Sequence, residues 1–238
     1  MPEEINRLLT DAIADLLLTP SPDGDENLRN EGVVEERIHR VGNIMIDSLF
    51  NNLEKSKQST ILTDLGLEKG EYAVLTLHRP SNVDEKEPFV RILEALETIG
   101  ARLPIVFPVH PRTDKQAEKF GLTERLKSIP NIVLIGPAGY LDFVALMADA
   151  KLVLTDSGGL QEETTALGIP CITLRENTER PITVTEGTNV VVGSDTQAIV
   201  DAATDVFETG GKAGRIPDLW DGHTAERIAD IIQDRISS

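Results

Sequence analysis

The sequence is poor in the features that would place it in several common classes. It has one cysteine in 238 residues, Cys171, which excludes an internal disulfide framework and points to a reducing cytoplasm. Basic residues are also scarce: 23 Lys and Arg against 40 Asp and Glu give a net charge of −17 and a pI near 4.6. That balance argues against DNA, RNA or an anionic membrane as the main partner. Charged side chains interrupt every apolar run well before the ~18–20 residues a membrane span needs. The opening MPEEINRLLTDAIADLLL lacks a basic n-region and a small-residue cleavage site, and its acids do not suit a transit peptide. The four histidines and the cysteine form no HExxH, HxH or CxxC spacing, so no metal site is expected. P-loop and GxGxxG strings are absent too. Only nine of the 23 basic residues are lysine, and the acids are spread along the chain. Such a surface suits either an ordinary acidic enzyme or a protein of a high-salt cytoplasm.

What is present is an α/β rhythm. Tyr72–Leu77, Pro104–Val109, Ile132–Ile135, Leu152–Thr155, Cys171–Leu174 and Asn189–Val192 are short runs apolar on both faces, the pattern of buried parallel strands. Between and after them, Phe89, Ile92, Leu93, Leu96 and Ile99 recur at helical spacing. So do Ile199, Ala202, Ala203 and Val206, and Ala225, Ile228, Ala229, Ile232 and Ile236. The pattern predicts a doubly wound parallel sheet. The amino-terminal residues differ. Ile5, Leu8, Leu9, Ala12, Ile13, Leu16 and Leu17 predict one amphipathic helix with an apolar stripe, followed by the turn-rich TPSPDGDEN and a short run, RIHRVGN. A boundary is expected near Gly42–Asn43, giving a helical segment 1–42 and a Rossmann-like domain 43–238.

In an open parallel sheet, ligands collect beyond the carboxyl ends of the strands. HRPSN (His78–Asn82), PVHP (Pro108–Pro111), DSGGLQEE (Asp156–Glu163) and RENTERP (Arg175–Pro181) all fall there. In DSGGLQEE, two glycines at a strand-to-helix turn permit close backbone approach, and the helix amino terminus offers N–H groups to a phosphate. Ser157 can add a hydroxyl, and Glu163, about one turn later, can accept from ribose hydroxyls. The alternative is a plain N-cap at Asp156 or Ser157, with glycines serving close packing. His78 and Arg79 suit a diphosphate or proton transfer, or are loop residues. His110, between two prolines, is a ligand contact or a turn residue. Arg175 and Arg180 are phosphate ligands or partners of Glu176 and Glu179. His39 and His223 have no partner motif, and Cys171 reads as core.

Together with PEEINR (Pro2–Arg7), GNIMID (Gly42–Asp47) and GPAGYLDF (Gly136–Phe143), these strings resemble the non-hydrolysing UDP-N-acetylglucosamine 2-epimerase family, which has the two-domain GT-B fold. The resemblance is to the C-terminal portion of that fold, with residues 1–42 as a helical remnant of the N-terminal catalytic domain. It implies that Ser157 and Gly158 hold the UDP phosphates and Glu163 the ribose. Ala138 and Phe143, ends of one segment, pack on uracil. His78 faces the diphosphate and reacting sugar, and Arg180 is a further phosphate ligand. Glu3 matches a catalytic carboxylate, with Arg7 one helical turn beyond, and Arg79 and His110 match a regulatory UDP-GlcNAc site. The implied reaction removes the C2 proton and eliminates UDP to give 2-acetamidoglucal; UDP then returns with the proton on the opposite face, giving UDP-ManNAc. No metal or other cofactor is implied, and the partners are the UDP-sugar and, in the intact enzyme, a second copy as homodimer. The family's Rossmann-like amino-terminal domain precedes PEE, so the chain is expected to be a fragment beginning at an internal methionine. The family's acid after the proline of RENTERP is missing at Ile182-Thr183, and no role is assigned there. The competing expectations are a GT-B glycosyltransferase donor half, which does not pair HRPSN with PEEINR, and a non-catalytic nucleotide-sugar binding module.

Overall fold

A computed structural model of the chain describes residues 2–237. Packing divides the chain into two compact units, Met1–Asn51 with Pro217–Ser238, and Asn52–Ile216; the expected break at 42/43 lies within the first.

Among the described residues, eight strands form in chain order: β1 (Leu17–Thr19), β2 (Ile38–Arg40), β3 (Ala73–Thr76), β4 (Ile105–Pro108), β5 (Ile132–Ile135), β6 (Leu152–Thr155), β7 (Cys171–Thr173) and β8 (Asn189–Val191). In the larger unit the last six form one sheet in the order β5-β4-β3-β6-β7-β8, every neighbour parallel. This is the predicted doubly wound α/β sheet. β3 and β6 are buried along almost their whole length, as strands covered by helices on both faces must be. Helices Lys86–Gly100 and Thr196–Thr209 pack together, and their predicted apolar positions Phe89, Ile92, Leu93, Leu96, Ile99, Ile199 and Ala203 are fully or almost fully buried. Cys171 lies 1% exposed in β7, and burial pushes its thiol up to about 11. The order reverses between β3 and β6, where chain connections leave in opposite directions and open a crevice at the carboxyl ends of the strands.

In the smaller unit, β1 and β2 pair in parallel, Leu17 opposite Ile38, over a small cluster of Leu17, Leu28 and Ile38. The single helix expected through Leu17 is corrected here: it spans Pro2–Ile13, and Leu17 opens β1. The cause is distant in sequence. Arg37 donates to the carbonyls of Asp11, Ala12 and Ala14, satisfying the acceptors that a helix end leaves open. Ile5, Leu8, Leu9 and Ile13 remain exposed, as do Ile232 and Ile236 on the last helix, Thr224–Ser237. Among the described residues, no helix is long and apolar enough to cross a membrane.

Candidate functional site

The crevice where the sheet order reverses encloses about 310 Å³, all of it in the larger unit. Its walls include Thr76 and His78 at the end of β3, His110 after β4, Ala138 and Phe143 after β5, and Ser157 and Leu160 after β6. Of the predicted site residues, the structure therefore brings His78, His110, Ala138, Phe143 and Ser157 to one cavity.

Asp156 organises this wall. It follows β6 directly and is fully buried. Its Oδ2 accepts from the backbone N–H groups of His78 (2.8 Å) and Arg79 (2.7 Å) and from Asn82 Nδ2 (3.2 Å), while Oδ1 lies 2.9 Å from His78 Nδ1. Burial pushes the Asp156 carboxyl up, but the His78 side chain and the N–H groups of Arg79 and His78 outweigh it and hold the group below its usual range. Asn82 also donates to the carbonyl of Leu174 at 2.7 Å, tying the HRPSN turn to the end of β7. Beside them, Thr76 and Thr155, paired in register across β3 and β6, share a hydroxyl hydrogen bond of 2.6 Å, and Thr155 accepts from Ser157 N at 2.9 Å.

Ser157 is the N-cap of the Gly158–Leu167 helix, yet its side chain makes no capping bond, and Asp156 is committed to the β3 turn instead. A methyl group added to Gly158 would meet nothing within 4 Å. That glycine thus leaves open space at the first turn of a helix rather than serving close packing, which favours an anion cradle over a plain cap. His110 caps the next turn: its Nδ1 accepts from Arg112 N at 3.1 Å, with Pro111 at the first helical position. Thr113, on the same helix, donates to the carbonyl of Leu77. The His78 and His110 rings stand 5.5 Å apart, tilted by 39°.

The remaining predicted residues are not among those lining this cavity. Glu163 is 8% exposed; burial, then the neighbouring Glu162 charge, pushes its carboxyl up to about 7 against the opposing hydrogen bond from Tyr140. Arg180 Nε lies 3.0 Å from Glu162 Oε1, and Arg175 Nη2 lies 3.1 Å from Glu179 Oε1, so both arginines are paired with acids. The Arg175–Pro181 loop is fixed from below. Gln161, fully buried, accepts from Thr178 (2.6 Å) and Asn189 (3.2 Å), and Thr178 accepts from Arg180 N at 3.0 Å. In the smaller unit, Arg7 bonds Glu4, Asp11 and Glu31. The side chain of Glu3 lies outside the described residues. His39 pairs with no motif, and His223 lies 3.2 Å from Glu226. No group of three or more His, Cys, Asp or Glu placed to hold a metal occurs among the described residues.

Sequence reasoning missed Asp156 as an organising residue and Asn82 as its companion. An acid immediately after a strand at the sheet's reversal was the available signal.

The fold agrees with what the chain is similar to. A sequence model of the family described as UDP-N-acetylglucosamine 2-epimerase matches residues 1–233. A Methanococcus maripaludis protein named "UDP-N-acetylglucosamine 2-epimerase homolog" is 46% identical over 84% of this chain and 56% of its own length. The UDP-N-acetylglucosamine 2-epimerase of Methanocaldococcus jannaschii is 41% identical over 98% of this chain and 64% of its own. A crystal structure of the M. jannaschii UDP-GlcNAc 2-epimerase in complex with UDP-GlcNAc and UDP superposes with a TM-score of 0.86 at 40% identity, covering 98% of this chain and 65% of that one. The chain thus spans between 56% and 65% of the length of these proteins. With a doubly wound sheet, a histidine-lined crevice at its reversal and a family match over almost every residue, the chain belongs to the UDP-N-acetylglucosamine 2-epimerase family.

Proposed function

We propose that this chain is the nucleotide-binding part of a UDP-N-acetylglucosamine 2-epimerase, an isomerase that converts UDP-GlcNAc to UDP-ManNAc by elimination and re-addition of UDP. The observation that carries the reading is the open first turn at Ser157–Gly158, facing two histidines across a crevice at the reversal of strand order. In this reading the helix amino terminus, Ser157 and Gly158 take the diphosphate. Ala138 and Phe143 supply the apolar wall for uracil, and Glu163 accepts from the ribose hydroxyls. His78 faces the diphosphate and the reacting sugar, where a positive or proton-carrying ring stabilises the departing UDP. Arg180 reaches the phosphates by exchanging its Glu162 partner for them. Glu3 supplies a carboxylate for the C2 proton, and Arg79 and His110 belong to a second, regulatory UDP-GlcNAc site.

The relatives are longer than this chain by roughly the size of a domain. The reading therefore places the rest of the catalytic groups in a segment this chain does not include, and assigns the intact enzyme to the cytoplasm as a homodimer. Calorimetry with UDP tests the nucleotide site: wild-type chain should bind, and Glu163→Ala should weaken binding by ~1–3 kcal/mol through lost ribose hydrogen bonds. Unchanged affinity would remove Glu163 from the site. NMR of the chain with UDP-GlcNAc tests the division of labour, since full-rate UDP-ManNAc formation would refute it and sugar transfer to an acceptor would point to a glycosyltransferase instead.

A further inference from the structure

The two histidines facing each other across the crevice meet opposite partners at the same ring atom. His78 Nδ1 lies 2.9 Å from Asp156 Oδ1, a buried carboxylate oxygen with no aligned hydrogen-bond donor, so a bare Nδ1 lone pair would face it with repulsion and an Nδ1 proton would not. His110 Nδ1 lies 3.1 Å from the backbone nitrogen of Arg112, a donor. A neutral imidazole carries one proton, and the group that faces one nitrogen decides what the other can do. We propose that Asp156 is a positioning residue that holds His78 with its proton on Nδ1, while the Arg112 N–H holds His110 with its proton on Nε2. The crevice then presents one ring whose Nε2 accepts a proton and a second ring, its centroid 5.5 Å from the first, whose Nε2–H donates.

The geometry around Asp156 makes its side of this arrangement rigid. The carboxylate is fully buried, and three donors fix Oδ2, which keeps Oδ1 beside the ring. The Arg112 side is fixed differently. Pro111 at the first helical position pre-sets the turn that presents the Arg112 N–H to the ring. The consequence for chemistry rests on the UDP-sugar reading: His78 becomes the positive ring facing the departing diphosphate only once its Nε2 has taken a proton, and His110 is the ring able to hold an oxygen. The tautomers themselves need no ligand.

Long-range proton–nitrogen NMR of the 15N-labelled chain, recorded above about pH 8.5 where an ordinary imidazole is neutral, reads both rings directly. The chain has four histidines, and Arg- and carboxylate-independent assignment comes from the spectra of H78Q and H110Q. Wild-type His78 should show a protonated Nδ1 and a lone-pair Nε2, and His110 the reverse. In D156N the amide oxygen can keep the backbone donors and turn its NH2 toward His78, so the His78 pattern should invert to Nε2–H. In R112P, with proline in the first helical turn, His110 should lose its preference and populate both forms while His78 stays unchanged. A wild-type His78 protonated on Nε2, or a folded D156N with an unaltered His78 pattern, would overturn the proposal; if D156N does not fold, the wild-type spectrum decides. Opposite tautomers in a chain that binds no UDP would leave this pair standing and remove the nucleotide reading instead.

Discussion

Asp47 caps a helix that begins 177 residues later in the chain: its Oδ1 accepts from Thr224 N at 3.1 Å and its Oδ2 from Ala225 N at 2.7 Å. GNIMID thereby acquires a structural role, since its terminal acid satisfies two of the donors that the start of the Thr224–Ser237 helix leaves open and sits at the positive end of its dipole. Asp47→Ala should lower the stability of the smaller unit by ~1–2 kcal/mol, as loss of a strong cap does. Denaturant titration followed through Trp220, which is buried in the same unit and donates to the carbonyl of Pro20 at 2.9 Å, measures it.

Asn189 opens β8 with its side chain fully buried and paired at both ends. Its Oδ1 accepts from Thr173 at 2.7 Å, and its Nδ2 donates to Gln161 at 3.2 Å and Thr183 at 3.0 Å. Asn189→Leu conserves bulk but strands these three partners. A loss of ~2–4 kcal/mol is expected, because unpaired buried polar groups cost more than the bonds themselves contribute. Urea unfolding followed by circular dichroism is the measurement, and wild-type stability in the variant would refute the account.

The raised Glu163 carboxyl sets a pH dependence with a definite sign. Its ordinary value of 4.5 applies to the unfolded chain and about 7 to the folded one, so the folded state keeps a proton the unfolded state has lost between those values. The stabilisation from the neutral acid is fully present below pH 4.5 and is lost as pH rises through 7. Glu163→Gln should remove this slope and be more stable than wild type at pH 8, by at most about 3 kcal/mol. Melting curves of both proteins from pH 5 to about 8 across that interval test it.

The −17 charge predicts a salt response. Repulsion among surface carboxylates falls as the Debye length shrinks from ~10 Å at 0.1 M to ~3 Å at 1 M. The melting temperature should rise between low and molar KCl. A flat or falling Tm would assign the acidity to solubility alone.

The large sheet was legible because its strands are buried on both faces, so Tyr72–Leu77 or Leu152–Thr155 show as apolar runs without reference to anything distant. β1 and β2 were not, since three residues in pairs such as Leu17 opposite Ile38 carry no periodicity. The end of the first helix was hidden for a related reason: Arg37 stops it from 23 to 26 positions away. The site divides in the same manner. His78, Ser157 and Phe143 stood out as residues following strands. Asp156 could be read as a turn acid until β3 and β6 became neighbours, bringing positions 78 residues apart to 2.8 Å. Glu163 illustrates the opposite case, where the residue was visible but its proton affinity depends on Glu162 and Tyr140 packed around it.

Cys171 gives the sheet a built-in clock. A thiol at 1% exposure, with its ionisation pushed up to about 11, has almost no thiolate to offer a reagent while the central strands stay closed. Because the chain has no second cysteine, the rate at which a thiol reagent labels it under native conditions reports how often β7 leaves the sheet, and ligands that close the crevice beside β6 should slow that count.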